Sequence, residues 1–340
     1  MPGPLRVVFM GTPDFALPSL RALAARPDLV NILAVYTQPD RPSGRGQKVT
    51  EPPVKIVGKE LGLTILQPED INDADEKRKL ADYMADVVVV VAYAQFLSRA
   101  ILNTPRLGCI NVHSSLLPKY RGAAPIQYAI WKGEKESGVS TMKLVPKMDA
   151  GPVLLQKSIP ITEEMTAAQL HDELAKLGGD LIVETLEQLR TGKQTEKEQD
   201  EALVTFAPLI KKEHGLIQWG RPGQEILAQI RAFDPWPGTF GRSTRGTLKI
   251  LKARFHSNVS GAPTTTAVGD IFTLAGGLWV KCTDGWIELL RVQPEGRRPM
   301  EIQEFLNGLH NSSFGFEKTA APAEAEKPVA KTENWVDNKK

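Results

Sequence analysis

The chain has 340 residues and a net charge of +2, which excludes a polyanion-binding role based on bulk charge alone. That length suits two domains, and an apolar fraction of 41% is ordinary for a globular protein with a buried core. Cys109 and Cys282 suggest neither a disulfide framework nor a structural zinc site, and no apolar run could span a bilayer, so we expect a cytoplasmic protein without a membrane partner.

The first part of the chain alternates short apolar runs with amphipathic stretches. This alternation predicts an α/β, Rossmann-like parallel sheet with helices on both faces. The predicted strands are 5–11, 32–37, 63–66, 86–92 and 108–113, and the predicted helices are 14–25, 52–61 and 76–84. Strands at 138–145 and 152–161 and an amphipathic helix at 166–189 complete a first domain over residues 1–189.

The pattern changes beyond this domain. Residues 190–207 are largely polar and predict a linker. Residues 208–316 contain short strands separated by Gly-rich turns, which is typical of a small β-barrel resembling the OB fold. Residues 317–340 are rich in Ala, Pro, Glu and Lys and predict a disordered tail.

Asn111 and His113 end the apolar run that begins at Leu107. In a strand, side chains two residues apart point to the same face, so the amide and the imidazole should emerge together. Ligands of open α/β sheets bind at the carboxyl ends of strands, which is where both residues fall. An amide can hold an oxyanion and an imidazole can move a proton, so the pair is a candidate catalytic site.

Asp149 is the third candidate, in a Met-Asp-Ala-Gly-Pro turn between two predicted strands. Its carboxylate could orient His113 or take part in proton transfer. It could equally be a turn residue bonded to its own backbone, and Asn111 and His113 could be satisfied strand-end residues. Only the three together on one sheet favour a site.

Basic residues occur in two further places. The loop from Gln38 to Lys48 is basic and rich in Pro and Gly, so it is either a flexible loop or one that orders on a phosphate backbone. In the second domain, a cluster without acidic residues could face nucleic acid or could simply be a solvated face. Its members are Arg242, Arg245, Lys249, Lys252 and Arg254.

These motifs resemble those of the methionyl-tRNA formyltransferases, over nearly the whole chain to about Phe316. The segment from Asn111 to Arg121-Gly-Ala-Ala-Pro is specific for folate-dependent formyltransferases, and the loop and Pro235-Trp-Pro narrow the resemblance to the tRNA enzymes. The matching segments are Val8-Phe-Met-Gly-Thr-Pro-Asp-Phe, Thr37-Gln-Pro-Asp-Arg-Pro, Val89-Val-Val-Ala-Tyr, Gly108-Cys-Ile-Asn-Val-His, Leu116-Leu-Pro-Lys-Tyr-Arg-Gly-Ala-Ala-Pro-Ile-Gln, Met148-Asp-Ala-Gly and Arg231-Ala-Phe-Asp-Pro-Trp-Pro-Gly.

The resemblance implies transfer of formyl from 10-formyltetrahydrofolate to the α-amine of methionine on initiator tRNA, in translation initiation. It implies that Asn111, His113 and Asp149 are catalytic and that Arg45 contacts the acceptor stem. It also implies a folate-contacting turn, made of Ser115, Leu116, Leu117 and Pro118. The barrel would contact tRNA, with Arg242, Arg245 and Lys249 as candidates, and we expect a monomer.

Two rival functions stay open from the sequence. A sugar-nucleotide formyltransferase would share the three catalytic residues and could carry a similar second domain. The loop containing Arg45 and the Arg-Gly-Ala-Ala-Pro segment speak against it. A catalytically inactive tRNA-binding module is the other rival, and it would not need Asn111, His113 and Asp149 together.

Overall fold

A computed structural model describes residues 3–43, 46, 48–263, 265–309 and 314–317. In its first part the elements are β1 (Leu5–Gly11), α1 (Leu17–Ala24), β2 (Val30–Tyr36), β3 (Arg41–Ser43), β4 (Lys48–Thr50), α2 (Pro53–Glu60), β5 (Ile65–Leu66), α3 (Ala74–Asp82), β6 (Val87–Val91), α4 (Arg99–Leu102), β7 (Cys109–His113), α5 (Pro125–Trp131), β8 (Glu136–Lys143), β9 (Val153–Pro160) and α6 (Ala167–Thr191). In the second part they are α7 (Gly223–Ala232), β10 (Thr239–Ser243), β11 (Gly246–His256), β12 (Ile271–Leu274), β13 (Gly277–Lys281), β14 (Trp286–Pro294), β15 (Met300–Glu301) and α8 (Ile302–Asn307).

The large sheet has the strand order β5-β2-β1-β6-β7-β8-β9. The strands from β5 to β7 are parallel, as the alternation of strands and helices predicts, whereas β8 and β9 pair antiparallel. A parallel pair needs a crossover of about a dozen residues or more, and the connection between β8 and β9 is shorter than that. The α/β class is therefore confirmed, with an antiparallel edge on the sheet.

Alternation along the strands divides the core into two layers. Val7 and Phe9 of β1 pack in the cluster that contains α1 and α6, whereas Val8 and Met10 pack with α3 and α4. The central strands β1 and β6 are buried and apolar on both faces, as expected for a sheet covered by helices on both sides. The alternation also fixes which way each residue of β7 points.

Local sequence explains where the long helix begins and ends. Thr166 accepts a hydrogen bond from the backbone N–H of Gln169, and the Gln169 side chain accepts one from Thr166 N–H, which completes a capping box. Gly192 ends α6 in the left-handed region at φ +67°, a conformation that glycine adopts without strain. No helix within the described residues is both long and apolar enough to cross a bilayer.

The second domain is built on an antiparallel sheet with the order β10-β11-β14-β13-β12, with β15 paired to β14. Its core includes Ile250, Ile287 and Leu289, and residues of α7 and α8 pack against them. The predicted small β domain is therefore confirmed. The sequence did not predict the β3–β4 hairpin, α4, α5, β10, β15 or α8, all of which are short or lie within loop-like motifs.

The two domains pack directly on each other. Trp131 at the end of α5 lies edge-on against Phe233, with ring centroids 4.8 Å apart. Phe233 is fully buried and belongs to the core cluster of the first domain, although it follows α7 of the second. The connecting segment also contacts the first domain, because Lys197 forms a β-bridge with Val153 and Phe206 forms one with Arg121.

Candidate active site

Strand β7 presents both Asn111 and His113 on one face of the large sheet. Ile110 and Val112 pack in the α1–α6 layer and Cys109 packs in the α3–α4 layer, so Asn111 and His113 share the face of Cys109. His113 is 6% exposed, whereas Asn111 is partly exposed. The prediction from the sequence that both side chains lie on one face of a strand is therefore confirmed.

The ring of His113 is held by one hydrogen bond to the main chain. Its Nε2 lies 3.0 Å from the carbonyl oxygen of Tyr120. Because a carbonyl can only accept, Nε2 carries the proton in the neutral ring and Nδ1 carries the lone pair. The bond therefore fixes both the ring orientation and the nitrogen that is left to exchange a proton.

Asp149 lies in the loop between β8 and β9, which folds back toward the end of β7. Strand β8 ends at Lys143, which pairs with Ile110 near the start of β7. The loop that follows nevertheless brings Asp149 Oδ2 to 3.9 Å from Nδ1 of His113, at the other end of β7. That distance exceeds a hydrogen bond. The same Oδ2 accepts the backbone N–H of Gly122 at 2.8 Å, and Asp149 has φ +48°, which is uncommon for a residue other than glycine.

The gap between His113 and Asp149 has a chemical consequence. A neutral His113 presents a lone pair at Nδ1 to a carboxylate that also only accepts. A proton on Nδ1, or a proton-bearing group between the two, makes the arrangement favourable. The pair can therefore take up a proton, and the amide of Asn111, on the same sheet face, can donate hydrogen bonds.

The loop after β7 supplies main-chain groups to both residues. Tyr120, at φ +61°, gives its carbonyl to His113, and Gly122, at φ +123°, gives its N–H to Asp149. A Cβ on Gly122 would stand 2.7 Å from the carbonyl oxygen of Ala207. The sequence analysis missed both residues, and the only sign of Gly122 was its place in the Arg-Gly-Ala-Ala-Pro motif.

The predicted folate-contacting turn divides into inward and outward residues. Ser115 and Leu117 are buried, and the turn is held by Ser140, whose Oγ donates to Ser115 O at 2.6 Å and accepts from Leu117 N at 3.0 Å. Leu116 and Pro118 are partly exposed and line a pocket of about 250 Å³. Ser115 and Leu117 therefore shape the turn from its buried side, and Leu116 and Pro118 are its residues that line the pocket.

The basic loop of the first domain is described only in part. Arg45 lies outside the described residues, so its predicted contact with RNA stays a prediction. The base of the loop is anchored by Asp40, which accepts from Lys55 Nζ at 2.6 Å and Gln67 Nε2 at 2.7 Å. These hydrogen bonds, from Gln67 first and Lys55 second, hold the pKa of Asp40 below its usual value.

The predicted basic cluster of the second domain lies at one hairpin. Arg242 pairs with Thr247 and Lys249 pairs with Phe240, which places Arg242 and Lys249 on the same face of the sheet. Both are exposed, and Arg245 is exposed in the adjoining turn. Arg254, farther along β11, lies 3.5 Å from Glu288, so one basic residue of the cluster has an acidic neighbour.

Comparison with known proteins identifies the family to which this fold belongs. The formyl transferase family model matches residues 5–186, and the model of its C-terminal domain matches residues 209–310. Two solved structures share the fold: HypX from Aquifex aeolicus with tetrahydrofolic acid (15% identity, TM-score 0.59, 91% of this chain and 48% of that chain) and the N-formyltransferase from Helicobacter canadensis (18% identity, TM-score 0.60, 84% and 98%). The fold and the two family models together define a two-domain formyl transferase.

Curated relatives define the family more narrowly. The methionyl-tRNA formyltransferase of Geobacter metallireducens is 43% identical over 305 residues, covering 89% of this chain and 96% of the relative. That of Caldanaerobacter subterraneus subsp. tengcongensis is 44% identical over 312 residues, covering 92% and 99%. The chain belongs to the methionyl-tRNA formyltransferase family.

Proposed function

We propose that this chain transfers the formyl group of 10-formyltetrahydrofolate to the α-amine of methionine on initiator methionyl-tRNA, the step that prepares this tRNA for translation initiation. The observation that carries the proposal is the approach of Asp149 to His113, with Asn111 on the same face of β7, in a chain that matches methionyl-tRNA formyltransferases over 89% of its length. The three residues are the catalytic ones in this proposal.

The reaction is acyl transfer, in which the amine nitrogen attacks the formyl carbon and the folate nitrogen leaves. An unperturbed α-amine has a pKa of about 8, so a useful fraction is neutral near pH 7. Stabilising the tetrahedral oxyanion is the larger task, and the side-chain NH₂ of Asn111 is the group that performs it. Its position on a strand of the central sheet keeps that donor oriented before the substrate arrives.

His113 and Asp149 handle the proton that the attacking amine must lose. The hydrogen bond from His113 Nε2 to Tyr120 O leaves Nδ1 to accept that proton. Asp149, 3.9 Å away, stabilises the imidazolium that results. The proton then passes to the leaving nitrogen of the folate.

The folate donor is assigned to the turn after β7 on its shape and surroundings. Leu116 and Pro118 offer partly exposed apolar surface, and the same pocket is lined by Tyr120, whose backbone carbonyl oxygen is bonded to His113. Ligand sites of this kind combine apolar walls with a few fixed polar groups, and the polar residues Lys119, Glu134 and Ser137 line the same pocket. Ser115 and Leu117 hold the turn in place from beneath.

The tRNA is assigned to the exposed basic face near the β10–β11 hairpin and to the loop that contains Arg45. Arg242, Arg245 and Lys249 carry the positive charge that a phosphate backbone requires. RNA is read largely by shape and by its unpaired ends, so these residues would supply affinity more than sequence discrimination.

The domains are 1–189 and 208–316, joined by 190–207, with a tail at 317–340 whose residues from 318 onward lie outside the described ones. The protein acts as a monomer. It works in the cytoplasm, because that is where aminoacylated initiator tRNA is used.

The test is formyl transfer from 10-formyltetrahydrofolate to methionine-charged initiator tRNA, with a sugar-nucleotide amine in a parallel reaction. We expect formylmethionyl-tRNA and no formylated sugar. Transfer to the sugar alone would replace the tRNA function with that of a sugar N-formyltransferase. Binding of charged tRNA by dialysed protein, without product when folate is added, would leave only a tRNA-binding module.

A further inference from the structure

The side-chain amide of Gln199, in the segment that connects the two domains, contacts both loops of the candidate site. Its Nε2 donates to the backbone carbonyls of Asp149 and Gly151, each at 2.8 Å. Its Oε1 accepts from Nε of Arg121 at 2.9 Å. All the polar atoms of this side chain are therefore used to join the Asp149 loop to the loop after β7.

Arg121 is the fixed point of this arrangement. It is 1% exposed, and Nη2 donates to Oε1 of Glu201 at 2.9 Å. Lys147 binds the other oxygen of Glu201 at 2.9 Å, and the two cations hold the pKa of Glu201 below its usual value. Nη1 has no partner among the described residues, so this buried charge depends on Gln199 and Glu201.

The main chain around Arg121 is fixed by the same connecting segment. Arg121 N–H donates to Thr205 O at 2.9 Å, and Ala207 N–H donates to Arg121 O at 2.8 Å. The residues on either side of Arg121 contact the catalytic side chains. Tyr120 O is hydrogen-bonded to Nε2 of His113, and Gly122 N–H donates to Oδ2 of Asp149. A shift of the connecting segment would therefore move the partners of both.

Asp149 needs such support because its backbone is strained. At φ +48° the backbone of Asp149 lies in the left-handed region, which is uncommon for a residue other than glycine. Its carboxylate is tied to Gly122, and its carbonyl is tied to Gln199. These two hydrogen bonds hold both the side chain and the main chain of Asp149, and together they fix its distance from His113.

We propose that Gln199 is a positioning residue, which holds Asp149 at its working distance from His113 although it touches no reacting atom. The inference rests on the proposed function, because it assigns Gln199 a part in the same reaction. It also gives the connecting segment contacts to the candidate site through Gln199, Glu201 and Thr205, where its composition predicted only a polar linker.

Two substitutions separate this role from simple support of Arg121. Gln199→Ala removes all contacts of the amide. Gln199→Glu keeps an acceptor for Arg121 and so preserves the buried charge, but replaces the donor to the two carbonyls with a repelling oxygen. We expect both variants to lose roughly ten- to a hundredfold in kcat, with KM for folate and tRNA changed by less than about twofold. Glu198→Ala, at the exposed neighbour, is the matched control and should keep wild-type kcat.

Wild-type kcat in Gln199→Glu would overturn the proposal, because it would leave Gln199 as a partner of Arg121 only. A double-mutant cycle with Asp149→Asn gives the second measurement. Once the carboxylate is lost, Gln199→Ala should lower kcat by less than about twofold further, since residues that act as a unit are not additive. A full additional loss would show that Gln199 acts elsewhere. The wild-type protein is measured in the same assay. Absence of formyl transfer by the wild-type protein would contradict the proposed function, whereas the role of Gln199 is judged from the variants relative to an active wild type.

Discussion

Gly122 donates its backbone N–H to the Oδ2 atom of Asp149 at 2.8 Å, and this hydrogen bond joins the two loops on which the candidate site is built. Asp149 stands in the hairpin loop between β8 and β9, and Gly122 stands in the loop after β7. The donor is main chain, so the backbone conformation at Gly122 decides where the carboxylate points.

That relationship predicts a large effect of Gly122→Ala. At φ +123° an L side chain is strained by about 1–3 kcal/mol, and the new Cβ would meet Ala207 O at 2.7 Å. We expect a loss of kcat together with lower stability in denaturant unfolding. Gly133→Ala is the matched control, because Gly133 also has a positive φ, +72°, but open space around its Cα. Its kcat should stay normal, and equal kcat losses in the two variants would contradict the role of Gly122.

Asn111→Ala tests the oxyanion assignment. Loss of one oxyanion donor typically lowers turnover by about 10²–10³. We expect at least that loss in kcat, without a change in stability above about 1 kcal/mol, because Asn111 is only partly buried. Steady-state formylation and urea unfolding would measure the two quantities. Asn103→Ala, an exposed asparagine just before β7, serves as the control, and near-normal kcat in Asn111→Ala would remove Asn111 from the mechanism.

The common face of Asn111 and His113 could be predicted from the sequence because the signal was local. Asn111 and His113 are two residues apart in a strand, and that spacing fixes their common face whatever the rest of the fold does. Asp149 could be proposed only from its turn and the resemblance. Its 3.9 Å approach to His113 requires a hairpin loop that folds back, which no local pattern indicates.

The supporting residues could not be predicted, for two physical reasons. Tyr120 and Gly122 act through main-chain groups, whose direction depends on backbone angles and not on the identity of a side chain. Gln199 lies in a polar stretch, and polarity alone is equally typical of a solvated linker. Its contacts with Asp149 and Arg121 bring together residues about fifty and eighty positions apart in the chain.

The basic face should contribute salt-dependent affinity for tRNA. Each lost phosphate contact lowers the slope of log affinity against log salt concentration by about 0.7–0.9. We expect Arg242→Ala and Lys249→Ala each to weaken tRNA binding and reduce that slope, while KM for folate stays unchanged. Lys176→Ala, at an exposed lysine of α6, is the control. Unchanged slopes in both Arg242→Ala and Lys249→Ala would show that the RNA does not bind at the β10–β11 hairpin.

The two thiols should be inert in the native protein. Burial raises the pKa of Cys109 to about 12, and burial with a hydrogen bond to Asp284 raises that of Cys282 to about 11. A raised pKa keeps the thiol protonated, so roughly one Cys109 in ten thousand would be ionised at pH 8. We expect negligible iodoacetamide labelling at pH 8 and labelling of both thiols after unfolding in urea. Rapid labelling of Cys109 in the native state would show that β7 opens.

The most direct test of the proposed function compares wild type and His113→Ala in single-turnover formylation of methionine-charged initiator tRNA by 10-formyltetrahydrofolate. His171→Ala, a partly exposed histidine on α6, is the matched control. We predict formylmethionyl-tRNA from wild type and His171→Ala at similar rates, and a rate at least about a hundredfold lower in His113→Ala. No product from wild type, or equal rates in all three proteins, would contradict formyl transfer at the site built on His113.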